Sequence, residues 1–247
     1  MREEISALKD NGVWRVTKRS VGSNPLHSKW VYKTKTGADG EIKRHKARLV
    51  AYGNEQVLGV DYSITFVAVM DISTVKVVLA LAAFWGVPAK HGDIPNAYLK
   101  ADKEAHLEIC LQVPRRMDVS DDILRELGAA NFGEVVHELR KSLYGLKQAG
   151  RLWIQLLHAR LKDAGLVRCV TDICLYFRHD DEELVVVGEY VDDLLAAGTS
   201  AAAVEKLFEG LAPLQIKDLG RVHKFLGMRV ELGDDGSYLI DQEEAFK

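Results

Sequence analysis

Hydrophobic and polar positions along the 247-residue chain recur with periods that assign most of its elements. The segment SKWVYKTKTGADGEIKRHKARLVAYG, from Ser28 to Gly53, alternates on both sides of Asp39-Gly40. That dipeptide suits hairpin positions needing positive φ, so a long β-hairpin is predicted. On its first arm Trp30, Tyr32 and Thr34 share one face and Val31, Lys33 and Lys35 the other; on its second, Arg44, Lys46 and Arg48 line one face. DISTVKVVLALAAFWGVP, beginning at Asp71, predicts a helix capped by Asp71 or Ser73, with Val75, Val78, Leu79, Ala82 and Ala83 on one side and Gly86 and Pro88 at its end. In AKHGDIPNAYLKA a short strand ends just after Asp93, where Pro95 and Asn96 follow. DDILREL, from Asp121, reads as a helix start, and LKQAGRLWIQLLHARLKDAGL, from Leu146, as the clearest amphipathic helix. The latter puts Trp153, Leu156, Leu157 and Leu161 on one face and ends at Gly165.

Two strand-like runs, ICLYFR and ELVVVGEY, flank the acidic turn HDDE. Asp192 and Asp193 then stand between the apolar runs Val185–Val187 and Leu194–Ala196, which places the pair at the tip of a tight hairpin. Thr199 or Ser200 caps a further helix through Leu211, and VELGDDGSYLI forms a hairpin turning at Asp235-Gly236. This order predicts an α+β fold in which helices cover one face of a largely antiparallel sheet. In such a sheet Asp93, Asp192 and Asp193 come from neighbouring strand ends.

Composition narrows the class. Hydrophobic residues at 47%, charged residues at 28% and only five prolines leave no room for a long disordered linker. With no run of 18 apolar residues and an opening Met-Arg-Glu-Glu unlike a signal peptide, the expected setting is intracellular and away from membrane. Cys110, Cys169 and Cys174 have no His or second Cys at zinc spacing and read as free thiols. The net charge of -3 conceals segregation: residues 14–54 hold ten Lys and Arg against Asp39 and Glu41, or +8, leaving -11 on the remainder. Such an arm either meets a polyanion on one side or is a solvated charged hairpin.

Three carboxylates at adjacent strand ends suit a hard cation such as Mg²⁺, which takes oxygen ligands together with substrate phosphates. Two such ions roughly 3.5 to 4 Å apart serve an in-line phosphoryl displacement, with the basic hairpin and Lys147 placed to offset phosphate charge. The competing reading is an ordinary acidic turn, since Asp favours turns through bonds to its own backbone.

Over nearly its whole length the chain resembles the reverse transcriptase domain of copia-type retrotransposon polyproteins. The likeness runs in order through KWVYKTK and DGEIKRHKARLVAYG, then GVDYSITF, GDIPNAYL, SLYGLKQAGRLW, YVDDLL, IKDLG and KFLGM. It implies a right-hand polymerase of fingers and palm that copies a primed RNA or DNA template from deoxynucleoside triphosphates, using two Mg²⁺ ions for which Mn²⁺ can substitute. A single domain over residues 1–247 is expected, about 1–87 mainly fingers and 88–247 mainly palm with an interleaved fingers segment. By resemblance, Asp93 matches the first catalytic, metal-binding carboxylate, and Asp192 and Asp193 match the hairpin pair, Asp192 the principal ligand and Asp193 assisting. Tyr98 matches a ring beneath the incoming sugar that excludes a 2′-hydroxyl, packing at a strand end being the alternative.

Lys46 and Arg48 match the basic positions that bind the triphosphate, one or both making the contact. Gln148 matches the polar residue that touches the nucleotide beside the template, with Lys147 nearby. Trp14, Trp30 and Trp153 are expected in the core rather than as stacking surfaces. The chain departs from the family pattern at Gly150 and Ala68, both usually proline, at Lys76, usually arginine, and at Leu99 to Ala101, where LKA stands for LNG. None of these removes a metal ligand, though Gly150 gives up a residue that favours a helix start. Beginning inside the family's opening pattern and stopping at QEEAFK, the chain is expected to be a polyprotein fragment lacking a full thumb, RNase H, integrase and protease. Other polyprotein segments are then its partners, in the cytoplasm or in virus-like particles. A silent remnant that keeps only the fold and nucleic-acid binding stays open as an alternative; the hairpin and LYGLKQ speak against a palm-type nucleotide cyclase.

Overall fold

The computed structural model describes residues 1–36, 41–114, 117–180 and 183–242. The expected Asp39-Gly40 turn and the last two residues of HDDE, Asp181 and Glu182, lie outside the described residues. Along the chain come α1 (Arg2–Asp10), β1 (Trp14–Lys18), β2 (Ser28–Thr36), β3 (Ile42–Ala51), α2 (Ile72–Trp85), β4 (Lys90–Asp93), α3 (Ala97–Lys100) and β5 (Cys110–Gln112). There follow α4 (Asp121–Glu126), β6 (Val135–Leu139), α5 (Ala149–Asp163), β7 (Val167–Arg168), β8 (Leu175–Asp180), β9 (Glu183–Tyr190) and β10 (Asp193–Gly198). Last are α6 (Ala201–Gly210), β11 (Lys217–Arg221), β12 (Lys224–Phe225), β13 (Met228–Leu232) and β14 (Tyr238–Asp241). Among the described residues no helix is long and apolar enough to cross a membrane.

These elements form two compact units, Met1–Phe66 with Tyr98–Trp153, and Val67–Ala97 with Ile154–Lys247. In the first, a three-stranded sheet of order β1-β6-β5 lies with the two-stranded β2-β3 hairpin. Leu8, Leu49, Leu99, Leu111, Leu139 and Leu143 are fully enclosed in its core. Trp14 lies parallel to the buried His137 ring at 4.6 Å and Trp153 is wholly enclosed, so both act as core. Burial pushes the His137 imidazole down to about 4. One close approach dictates a residue: Ala51 N–H donates to the Tyr144 carbonyl at 2.8 Å, and Gly145 has φ +91. A Cβ at Gly145 would stand 2.2 Å from the Ala51 carbonyl oxygen, so LYGLKQ admits only glycine there.

The second unit is built on a six-stranded sheet of order β11-β4-β10-β9-β8-β7, every adjacent pair antiparallel. The expectation that helices cover one face is corrected. A Cβ at Gly188 would meet Met70 and Val78, which belong to the α2 side, whereas one at Gly92 would meet Phe208 and one at Gly198 would meet Val204, both of α6. Gly188 sits opposite Leu195, and Gly92 opposite Leu194, so the two helices lie on opposite faces. The physical reason was present in the runs VVVG and LLAAG, which are continuously apolar rather than alternating, as befits strands buried on both sides. Phe225, Met228 and Val230 of the β12-β13-β14 sheet join the α2 side of this core.

Caps fall where the sequence placed them. The Asp71 side chain accepts from Ser73 N–H, Gly86 ends α2 at φ 66, and Ser200 caps α6 through Ala203 N–H. Gly236 turns the β13-β14 hairpin at φ 79, with Ser237 N–H donating to Asp235 at 3.0 Å.

Candidate active site

The register of the second unit places the acidic residues. Asp93, the last residue of β4, is directly opposite Asp193, the first of β10, and on its other side opposite Lys217 of β11. Asp193 is also opposite Tyr190, so the β9-β10 turn consists of Val191 and Asp192. Ile94 N–H donates to the Asp192 carbonyl at 2.8 Å, which ties the turn to the end of β4. Val191 has φ 57, a left-handed conformation costly for a β-branched side chain, of order 1–3 kcal/mol. Strain of this kind persists only where flanking structure determines it, as the buried strands do here.

All three aspartates are partly exposed. Their oxygen-only donor chemistry fits a hard divalent cation. Among the described residues, however, no three Asp, Glu, His or Cys side chains are gathered into a metal-holding group. The Asp193 carboxylate is turned to His91, whose Nε2 lies 2.8 Å from Oδ1, a bond that becomes an ion pair when the imidazole is protonated. His91 also meets Phe225 edge-on at 5.4 Å. A cleft of about 500 Å³ opens beside Asp193, lined among others by His91, Tyr190, Arg221, Lys224 and Leu226.

On the same hairpin, the Glu189 side chain is 2% exposed, and neither carboxyl oxygen has a hydrogen-bond partner. Loss of solvent pushes its carboxyl up to about 8; Arg168 opposes the shift and Asp172 adds to it.

The remaining sites expected from sequence lie in the first unit. In the β2-β3 register Lys33 is opposite Lys46 and Val31 opposite Arg48, so the lysine-bearing face of the first arm and the basic face of the second are one face. Glu3 pairs with Arg44 at 3.3 Å, and Glu4 accepts from Leu49 N–H. Burial raises the Glu4 carboxyl while Lys46 and Arg48 draw it down, so the acidic first turn of α1 flanks this cationic face. The Arg48 guanidinium lies 4.8 Å from the Tyr144 ring centroid, and Tyr144 meets Tyr98 edge-on at 5.4 Å. Arg48 and Tyr98 are therefore brought together through a residue that sequence reasoning passed over.

Gln148 is fully buried, with both ends of its amide engaged. Its Oε1 accepts from Gln56 at 3.0 Å and its Nε2 donates to the Asp61 carbonyl at 2.9 Å. Lys147 N–H donates to Gln56 Oε1 at 2.7 Å, and Lys147 Nζ donates to the Tyr62 hydroxyl at 2.9 Å while standing over its ring. Arg151 pairs with Glu104 and donates to the Ile64 carbonyl at 2.8 Å. LKQAGR thus grips the GVDYSI loop, and Gly150 sits in a helix start held by its neighbours' side chains. Gln56, Tyr144, His91 and Glu189 were the residues missed. Of these only His91 carried a usable signal, its two-residue spacing from Asp93 on a predicted strand.

Residues 11–246 match the family described as reverse transcriptase (RNA-dependent DNA polymerase). The chain is 33% identical over 232 residues to the retrovirus-related Pol polyprotein from transposon TNT 1-94 of Nicotiana tabacum, covering 93% of this chain and 17% of that polyprotein. To the polyprotein from transposon RE1 of Arabidopsis thaliana it is 31% identical over 245 residues, covering 97% of this chain and 16% of the relative. A putative transposon Ty5-1 protein of Saccharomyces cerevisiae is 35% identical over 112 residues, 45% of this chain and 36% of that protein. The chain thus spans less than a fifth of the two polyproteins it matches over most of its own length. Its motifs, in order and over nearly every residue, place it by descent: the chain belongs to the reverse transcriptase (RNA-dependent DNA polymerase) family, among the copia-type retrotransposon polyproteins.

Proposed function

We propose that this chain carries out templated DNA synthesis by nucleotidyl transfer as one segment of a retrotransposon polyprotein, its first unit serving as fingers and its second as palm. The observation that carries the reading is the β4-β10 register, which sets Asp93 opposite Asp193 with Asp192 in the adjoining turn, in a chain of reverse transcriptase descent. Asp93 and Asp192 are the residues to hold two Mg²⁺ ions, with Asp193 assisting. When bound, such ions activate the attacking hydroxyl and neutralise charge on the departing oxygen. Lys46 and Arg48 bind the triphosphate, Arg48 offering a planar fork for bidentate contact. Tyr98 lies beneath the incoming sugar. Lys147 and Gln148 complete the nucleotide pocket, Gln148 by fixing the GVDYSI loop through Asp61. The primer 3′-oxygen bonds to the α-phosphorus as pyrophosphate leaves, and the partners are a primed RNA or DNA template and deoxynucleoside triphosphates.

The engagement of Asp193 by His91 favours a second reading, a remnant that binds nucleic acid without catalysis. The two are separated by incorporation of labelled dTTP on poly(rA)/oligo(dT) with Mg²⁺ or Mn²⁺. Incorporation that disappears in Asp192→Asn supports the polymerase. Salt-dependent filter binding without incorporation establishes the remnant, and incorporation that survives Asp192→Asn refutes the assignment of the aspartates.

A further inference from the structure

Three segments of the first unit meet at one ring. Arg48 comes from β3, Tyr98 from α3, and Tyr144 from the stretch before α5. The Arg48 guanidinium at 4.8 Å from the Tyr144 centroid is within cation–π range, and the Tyr98–Tyr144 pair, at 5.4 Å and 75° between planes, has the edge-to-face form that aromatic quadrupoles favour. Tyr144 is itself firmly seated. Its carbonyl accepts from Ala51 N–H, on the same strand as Arg48, and the next residue, Gly145, fits against Ala51 only because it lacks a Cβ. Arg48 Nε is buried without a hydrogen-bond partner, so the ring face is a principal restraint on where the guanidinium points.

We infer that Tyr144 is a positioning residue that couples triphosphate recognition to sugar recognition, holding the Arg48 guanidinium on one side and the Tyr98 ring on the other. The inference rests on the assignment of Arg48 and Tyr98 to the nucleotide pocket. An assembly of this kind reads both ends of a nucleotide with one rigid unit: displacing the ring releases the cation and the sugar platform together. Removing the phenolic hydroxyl alone leaves both contacts in place, since each is made by the ring.

The test is calorimetric titration of the chain bound to a template whose primer lacks the 3′-hydroxyl, so that no bond forms, with Mg²⁺, by dUTP and by UTP, which differ only at the 2′-position. Tyr144→Phe is expected to keep affinity within about twofold, whereas Tyr144→Leu weakens dUTP by roughly fivefold and narrows its preference over UTP. Arg48→Gln weakens dUTP as well, and adding Tyr144→Leu to it costs less than in the parent, the mark of a shared contact. Tyr144→Met, of similar bulk and without a ring, stands in if circular dichroism shows the leucine variant unfolded. Parent-like affinity and preference in the ringless variant, with Arg48→Gln still weak, overturns the coupling while leaving the nucleotide site intact. Absence of dUTP binding by the parent overturns the nucleotide-site reading and the coupling with it.

Discussion

Asparagine at Asp93 is expected to lower templated incorporation by roughly a thousandfold or more, while asparagine at Asp193 leaves a readily measured fraction. The asymmetry comes from what each carboxylate already does. Asp93 ends β4 between Asp193 and Lys217, and the β10 turn is tied to the next residue through Ile94 N–H. Asparagine there is isosteric and removes only charge, so a loss of activity without a loss of melting temperature assigns the charge to chemistry. Asp193 instead spends an oxygen on His91, a bond that an amide oxygen can still accept. Steady-state incorporation by both variants, each checked by thermal unfolding, decides the matter. Equal losses would make Asp193 a full partner of Asp93, and an unimpaired Asp93→Asn would remove the proposed chemistry altogether.

The second large effect is on stability. Glu189→Gln is expected to stabilise the chain at pH 8 by about 2 kcal/mol or more, raising Tm by roughly 4–8 °C, with little effect near pH 4.5. The carboxyl titrates near its ordinary 4.5 in the unfolded chain and is pushed up to about 8 when folded, chiefly because it is desolvated. Between those values the folded chain holds a proton that the unfolded chain has released. Stability therefore falls as pH rises through that window and levels off above about 8. Glutamine removes the titration while keeping the shape, so the melting curves of parent and variant diverge with pH. Parallel curves across the window would show that the Glu189 carboxyl is charged in the folded state. Glu189 adjoins Tyr190, which is opposite Asp193, so this titration takes place one residue from the end of the strand that leads into the aspartate pair.

Much of this was legible from residues alone, for reasons that differ by element. The Asp71, Gly86 and Ser200 signals were local, each set by one side chain and its nearest backbone, and they were found where read. The placement of Asp93 followed from the Pro95 and Asn96 that stop its strand, and that of the hairpin pair from apolar runs of strand length. What eluded sequence reasoning was tertiary. Joining the basic faces of β2 and β3 needs the register, which places Lys33 against Lys46. Gln148 reads as a polar residue at a helix start, and its burial depends on Gln56, 92 positions away. Glu189, two residues from a turn and beside Tyr190, reads as an exposed strand end, whereas α2 and α6 enclose the sheet from both sides. Tyr144 had no periodic partner at all; its neighbours arrive from two distant segments.

That two-sided enclosure has a consequence for motion. Local opening follows few buried contacts and solvent-facing backbone bonds, and the β9 and β10 interiors have neither. Their amides are therefore expected to exchange slowly with solvent, and the carboxylate turn rides on that protected pair of strands. The turn that carries Asp192 springs directly from these two buried strands, so the chain sets acidic groups in water on enclosed ground.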